Sequence, residues 1–91
     1  MSITRFELPI THDHLARGRP RSATRCPIAL SLSEHFGGVW LAVPSGGFEC
    51  LAPSHWGAII LFPPEVLQWM DDYDEDRPVQ PRVFTLERKE A

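Results

Sequence analysis

Residues 58–62 form a run of five apolar side chains, Ala-Ile-Ile-Leu-Phe, bounded by Gly57 and Pro63. The run is short enough to be a β-strand, and its unbroken apolar character predicts burial on both faces of a sheet. The β-rich residues 39–43 and 48–51 flank a turn sequence at 44–47, a combination that predicts a hairpin. The three segments together predict an antiparallel meander.

Two further strands are predicted near the ends of the chain. Phe6, Leu8 and Ile10 alternate with polar residues or proline, which predicts a half-buried strand at about residues 3–8. We expect Pro9 to end it, because proline cannot donate a hydrogen bond to the ladder. Residues 83–87 form the last strand, and its pairing with the first would bring the chain ends together.

Three short helices are predicted between these strands. The first spans residues 12–17, with Thr11 as its N-cap and Gly18 closing it in a left-handed conformation. The second has Ser22 or Thr24 as its cap and Pro27 in its first turn. It ends at residues 37–38, and its apolar face carries Ile28, Leu32 and Phe36.

The third helix is predicted to open at residues 63–65 and to run to about residue 73. Spacings of three and four residues define its apolar side, which carries Val66, Leu67, Met70 and Tyr73, with Trp69 towards the edge.

The predicted order is β-α-α-β-β-β-α-β. Strands and helices do not alternate strictly, so we expect an α+β fold with helices on one face of a mostly antiparallel sheet. The length predicts a single domain, 1–91, with a flexible polar tail at 88–91. A composition of 43% hydrophobic and 23% charged residues is ordinary for a globular protein.

No stretch reaches 18 consecutive apolar residues, so no membrane-spanning helix is expected. Residues 1–5 lack the apolar run of a signal peptide, which favours the cytoplasm. Two cysteines, Cys26 and Cys50, do not make a disulfide scaffold, and we expect both to be reduced there.

The charges are segregated along the chain. Residues 1–45 hold five arginines and three acidic residues, whereas residues 46–91 hold four cations and nine acidic residues. The acidic patch consists of Asp71, Asp72, Asp74, Glu75 and Asp76. The net charge of −3 argues against a general nucleic-acid binder and against a strongly acidic DNA mimic.

Metal binding is the first chemistry to test, because the chain has four histidines and two cysteines. His12 and His14 lie near Cys26 in the sequence, but no C-x₂₋₄-C or H-x₃₋₅-H pair is present. The residues 71–76 also miss the glycine of a calcium-binding EF-hand loop. We therefore predict no metal and no cofactor.

Cysteine catalysis is a second hypothesis. Cys26 precedes a predicted helix and follows Arg25, a setting that lowers a thiol pKa, and His14 or His55 could act as its base. A core or capping role for Cys26 is the simpler interpretation. The chain has no G-x-S-x-G elbow and no phosphate-binding P-loop, so we predict a protein without catalytic residues.

The best candidate site is the arginine loop, residues 17–25. Its cations are Arg17, Arg19, Arg21 and Arg25. Guanidinium groups bind phosphates or carboxylates through paired hydrogen bonds. The alternatives are that these arginines pair with the acidic patch or form a solvated loop. Trp56, beside His55 in a predicted turn, is a second candidate, because tryptophan is enriched in binding hot spots.

One sequence pattern carries a resemblance. His14–Gly18 leads through Ser22 to Arg-Cys-Pro-Ile-Ala-Leu at residues 25–30, and residues 61–66 and 77–81 fit the same layout. The chain resembles small uncharacterised proteins of actinobacterial bacteriophages and prophages, although residues 44–57 are longer than that pattern needs. The resemblance brings no catalytic residues, and it implies a host-directed regulator or an inhibitor of a defence system.

These features lead us to expect a small binding protein that acts by protein–protein contact on a host protein. A nucleic-acid or nucleotide binder using the arginine loop is the alternative. A homodimer through strand edges or a helix face is a further alternative at this length.

Overall fold

The computed structural model describes residues 3–43, 47–50 and 58–89. Within these residues the elements follow the predicted order. They are β1 Ile3–Ile10, α1 His12–Arg17, α2 Pro27–Phe36, β2 Trp40–Val43, β3 Gly47–Cys50, β4 Ile59–Leu61, α3 Pro64–Asp74 and β5 Arg82–Lys89.

The strands form one antiparallel sheet in the order β1-β5-β4-β3-β2. The α+β fold, the meander β2-β3-β4 and the pairing of the first with the last strand are confirmed. Ile3 lies opposite Lys89 across the β1–β5 pair. β5 is longer than predicted, since Arg88 and Lys89, expected at the start of a tail, are part of the strand.

One face of the sheet, the inner face, carries the core. Leu8 lies opposite Phe84 and Phe6 opposite Leu86, so side chains at alternate positions meet on the same side. The residues buried with them are Ile10, Cys26, Ile28, Ala29, Leu32, Trp40, Phe48, Ala58, Ile60, Val66 and Trp69. Because α2 and α3 contribute to this cluster, the helices cover the inner face.

The other face of the sheet, the outer face, has no described helix against it. Ile59 is 39% exposed and Leu61 is 40% exposed, while only Ile60 of β4 is buried. The prediction that residues 58–62 are buried on both faces is therefore wrong for the single chain. The apolar run fits one side of this fold and leaves the other side in solvent.

Pro9 lies within β1 rather than ending it. β1 is at the edge of the sheet, where a residue that lacks an N–H group does not interrupt a ladder on both sides. The strand therefore continues to Ile10, whose buried side chain extends the inner face.

Gly18 ends α1, but not in the predicted left-handed conformation, because its φ of −68° and ψ of 157° are those of extended backbone. A Cβ atom at this position would lie 2.8 Å from the His14 carbonyl oxygen and 2.8 Å from Cγ of Pro27. Glycine is needed here because α1 and the start of α2 approach each other closely.

Two further helix predictions are wrong in detail. The N-cap of α2 is Cys26 rather than Ser22 or Thr24. In α3 the buried side chains are Val66 and Trp69, whereas Leu67 is exposed. The Trp69 indole N–H donates to the Gln80 carbonyl at 3.1 Å, which allows the large ring to face inwards.

The α1 cap gives a prediction about stability. The Thr11 hydroxyl accepts from the His14 N–H at 3.3 Å, and His14 Nδ1 accepts from the Thr11 N–H at 3.0 Å. We expect Thr11→Ala to lower the free energy of unfolding by about 1 kcal/mol, because it removes the hydroxyl acceptor. Urea unfolding measures this difference. Thr11→Ser keeps the hydroxyl and is the control, and an equal loss in both variants would contradict the assignment.

Candidate functional site

The arginine loop joins α1 to α2, and backbone hydrogen bonds hold its base. The Arg19 N–H donates to the Arg25 carbonyl at 2.9 Å, which closes the loop. The Ala42 N–H of β2 donates to the Ala23 carbonyl at 2.9 Å and fixes the loop to the sheet edge. The first hydrogen bond therefore orders the loop internally, and the second attaches its backbone to β2.

Arg21 has a left-handed backbone conformation, with a φ of 58°. A side chain with a Cβ atom adopts this region at a cost of about 1–2 kcal/mol. The Asp74 carboxylate, at the end of α3, accepts from the Arg21 N–H at 2.8 Å. This hydrogen bond stabilises the strained turn and links the loop to the acidic patch through its backbone.

The side chains of Arg19, Arg21 and Arg25 are exposed. None of their guanidinium groups forms an ion pair with a residue in the described ranges. A fixed backbone thus presents three cationic groups to solvent. This is the geometry expected of a surface that binds carboxylates or phosphates.

Arg17 differs from the other three arginines of the predicted site. Its guanidinium forms an ion pair with Asp13 at 2.7 Å, and it also pairs with the Glu34 carboxylate of α2. The hydrogen bonds that Arg17 donates to Glu34 and Asp13 raise its pKa above the usual value. Arg17 therefore joins α1 to α2. Its side chain is exposed, but its ion pairs separate it from Arg19, Arg21 and Arg25.

Two of the five acidic residues in the acidic patch, Asp71 and Asp72, are engaged within their own segment. Arg77 binds Asp71 at 2.7 Å and Asp72 at 2.8 Å, and the hydrogen bond from Arg77 lowers the pKa of Asp72. Glu75 and Asp76 are exposed at the end of α3. The sequence left open the alternative that the arginine loop pairs with the acidic patch. Only Asp74 of the patch contacts the loop, and it accepts a hydrogen bond from the Arg21 backbone rather than pairing with the Arg21 guanidinium.

His14 is a buried polar residue that the sequence patterns did not mark for this role. Its Nδ1 accepts from the Thr11 N–H, so Nε2 carries the hydrogen that is donated to Glu34 Oε1 at 3.0 Å. Hydrogen bonds from Arg17 first, and then from His14, lower the pKa of Glu34. Because both ring nitrogens are engaged, His14 acts as a link between helices and has no nitrogen left to serve as a base.

Cys26 is buried, with 3% of its surface exposed, and its Sγ accepts from the Ala29 N–H at 3.4 Å. Burial outweighs the hydrogen bond and raises the pKa of the thiol to about 11. The catalytic hypothesis required a lowered thiol pKa and is contradicted, whereas the simpler interpretation of a core or capping role is confirmed. The side chain caps α2 and packs in the core.

Two predicted binding residues, His55 and Trp56, lie outside the described residues. Across residues 3–43, 47–50 and 58–89, no group of three or more His, Cys, Asp or Glu side chains is placed to hold a metal ion. Over the same ranges no helix is long and apolar enough to cross a membrane.

Comparison with protein-family models, with curated proteins and with solved structures finds no significant match. The candidate site therefore rests on the chemistry of its own residues.

The pKa of Cys26 gives a prediction about reactivity. We expect iodoacetamide to modify Cys26 about 100-fold more slowly in the folded chain than in urea at pH 7.5, because the thiolate reacts and burial suppresses it. The 100-fold protection should hold below the ordinary thiol pKa of 9.0 and be lost progressively as pH rises from 9.0 to about 11. A Cys50→Ser background isolates Cys26 in mass spectrometry. Rapid modification of the folded chain at pH 7.5 would contradict the burial argument.

The contact between Asp74 and Arg21 gives a prediction about the loop. Asp74→Ala removes the acceptor for the Arg21 N–H, so we expect amide exchange at Arg21 to become at least tenfold faster. Glu75→Ala is the matched control, because it removes a carboxylate from the same helix end without touching the loop. Hydrogen exchange followed by NMR measures both. Equal rates at Arg21 in the two variants would show that Asp74 does not hold the turn.

Proposed function

We propose that this chain is a small non-enzymatic binding protein whose arginine loop contacts an acidic surface on a partner protein. The proposal includes the phage-type role implied by the sequence resemblance: a modulator or inhibitor of a host protein in the host cytoplasm, including a defence protein. The observation that supports it is the exposure of Arg19, Arg21 and Arg25, without internal ion pairs in the described chain, on a backbone anchored to β2 and α3.

Anchoring matters because binding costs conformational entropy. A loop that is already ordered loses less freedom when it meets a partner, so more of the interaction energy appears as affinity. The strained φ of Arg21 supports the same interpretation, since strained backbone is concentrated at binding and catalytic sites. The three guanidinium groups are then ready to form paired hydrogen bonds with carboxylates.

The position of the acidic patch favours a protein over a nucleic acid. Asp74 touches the loop, and Glu75 and Asp76 follow it on the exposed surface. A nucleic-acid strand carries a phosphate at every nucleotide and would meet these carboxylates beside the arginines. A protein surface can place a few carboxylates opposite the arginines alone.

The test is capture of a partner by the purified chain. We expect the triple variant Arg19→Ala, Arg21→Ala, Arg25→Ala to lose a host protein that the wild-type chain captures from lysate, with its thermal unfolding midpoint almost unchanged. Arg17→Ala is the control, because Arg17 is already paired within the fold, and it should retain capture. Capture that does not depend on the three arginines would show that the site assignment is wrong.

Salt dependence separates the proposal from the nucleic-acid alternative. A fluorescent 20-nucleotide single strand and a duplex of the same length are titrated with the chain from 50 to 200 mM salt. We expect no binding at micromolar concentrations. Tight binding that falls steeply with salt and disappears in the triple variant would replace the protein partner with a nucleic acid.

A further inference from the structure

The outer face of the sheet is a second candidate surface, separate from the arginine loop. Four large apolar side chains on it are exposed in the described chain: Ile3, Ile59, Leu61 and Val83. β4 lies in the middle of the sheet, so two of these side chains are at its centre rather than at an edge. A short, unbroken apolar run is the pattern of a strand in the core of two packed sheets, where both of its faces are covered.

The strand register sets the order of side chains across the outer face. One row, from β1 to β2, reads Ile3, Lys89, Ile59, Glu49, Leu41. The next row reads Arg5, Glu87, Leu61, Gly47. Each row is arranged around β4, with two strands on either side.

We propose that a second copy of this chain covers the outer face, with a two-fold axis lying along β4 between the two sheets. Strands of packed sheets keep nearly the same direction, so each row faces the same row of the other copy. The axis places Ile59 against Ile59 of the second copy and Leu61 against its Leu61. β5 then lies over the second copy's β3, and β1 over its β2.

Charge complementarity is the argument for a second copy. In the first row Lys89 faces Glu49 of the second copy, and the symmetry forms this pair twice. Ile3 faces Leu41, so apolar side chains meet at the ends of the row. The same chain therefore supplies both halves of each contact, as an isologous interface requires.

The second row fits the same arrangement. Glu87 faces Gly47 of the second copy, which has no side chain to collide with it. Glu87 also lies opposite Arg5 within its own sheet, so its charge has a neighbour of opposite sign. A hollow of about 160 Å³, lined by Leu61, Thr85 and Glu87 among others, leaves room for an apolar side chain from the facing sheet.

The area of the face indicates a weak dimer. Five strands about 4.8 Å apart span about 24 Å, and the two shared rows with their flanks cover about 20 Å along the strands. This gives about 500 Å² for each copy and about 1,000 Å² in total, the lower limit of specific interfaces. We expect a dissociation constant in the micromolar range.

The first test uses the residue on the axis. Analytical ultracentrifugation of the wild-type chain between about 10 μM and 1 mM should show a monomer–dimer equilibrium. Ile59→Lys sets two lysines against each other and should weaken dimerisation at least 100-fold. Leu67→Lys, which places a charge on the exposed side of α3, is the matched control and should dimerise like the wild type. A wild-type chain that stays monomeric overturns the proposal, and this includes the case in which another partner binds the outer face. An Ile59→Lys variant that dimerises like the wild type also overturns it.

The second test uses the charge pair. Lys89→Glu and Glu49→Lys should each weaken the dimer about tenfold or more, because each creates like charges across the axis. The double variant restores opposite charges and should recover dimerisation. Recovery identifies this two-fold arrangement, whereas additive loss in the double variant overturns it. The arginine loop is intact in all these variants, so partner capture through the loop reports separately on the proposed function.

Discussion

The antiparallel pairing of β1 with β5 is the interaction on which the rest of the fold depends. It joins residues from the two ends of the described chain over eight consecutive positions, from Ile3 opposite Lys89 to Ile10 opposite Arg82. α2 and α3 pack against the inner side of this pair, where the ring centroids of Trp69 and Phe84 are 5.8 Å apart. The meander adds to its free edge. Both helices therefore depend on a strand pair that joins segments far apart in the sequence.

The helices cover one face of the sheet and leave the molecule with two surfaces of different chemistry. The arginine loop is polar, strained at Arg21 and tied to Asp74, and it lies on the helical side. The outer face is apolar at its centre and carries balanced charges around Ile59 and Leu61. Because the two surfaces use different elements, one chain can present both at once, and variants can alter them independently.

The alternation of Phe6, Leu8 and Ile10 predicted both the strand and its inward side, because successive side chains of a β-strand point to opposite faces of the sheet. Element order and antiparallel pairing followed from the short segments and their turn residues. The helix ends were harder to predict. Cys26 caps α2 because its sulfur accepts a hydrogen bond from the Ala29 N–H. Leu67 is exposed, whereas the Trp69 ring is buried and its indole N–H donates to the Gln80 carbonyl. Such choices depend on tertiary contacts that local sequence does not contain.

The candidate site was predictable in composition but not in detail. Four arginines in one loop indicated a cationic surface. Only the packing of α1 against α2 shows that Arg17 forms an ion pair with Glu34. The role of Asp74 is equally non-local, since it lies 53 residues from Arg21. The burial that raises the pKa of Cys26, against the requirement of the catalytic hypothesis, is also non-local. Each of these differences comes from a contact between segments that are distant in the sequence.

The adjacency of Ile3 and Lys89 has a consequence for engineering. Directly opposed residues of an antiparallel pair have Cα atoms about 5 Å apart, so a peptide linker of a few residues could close the backbone into a ring. Cyclisation would restrict the unfolded ensemble while leaving the folded sheet unstrained, which raises thermal resistance without new contacts.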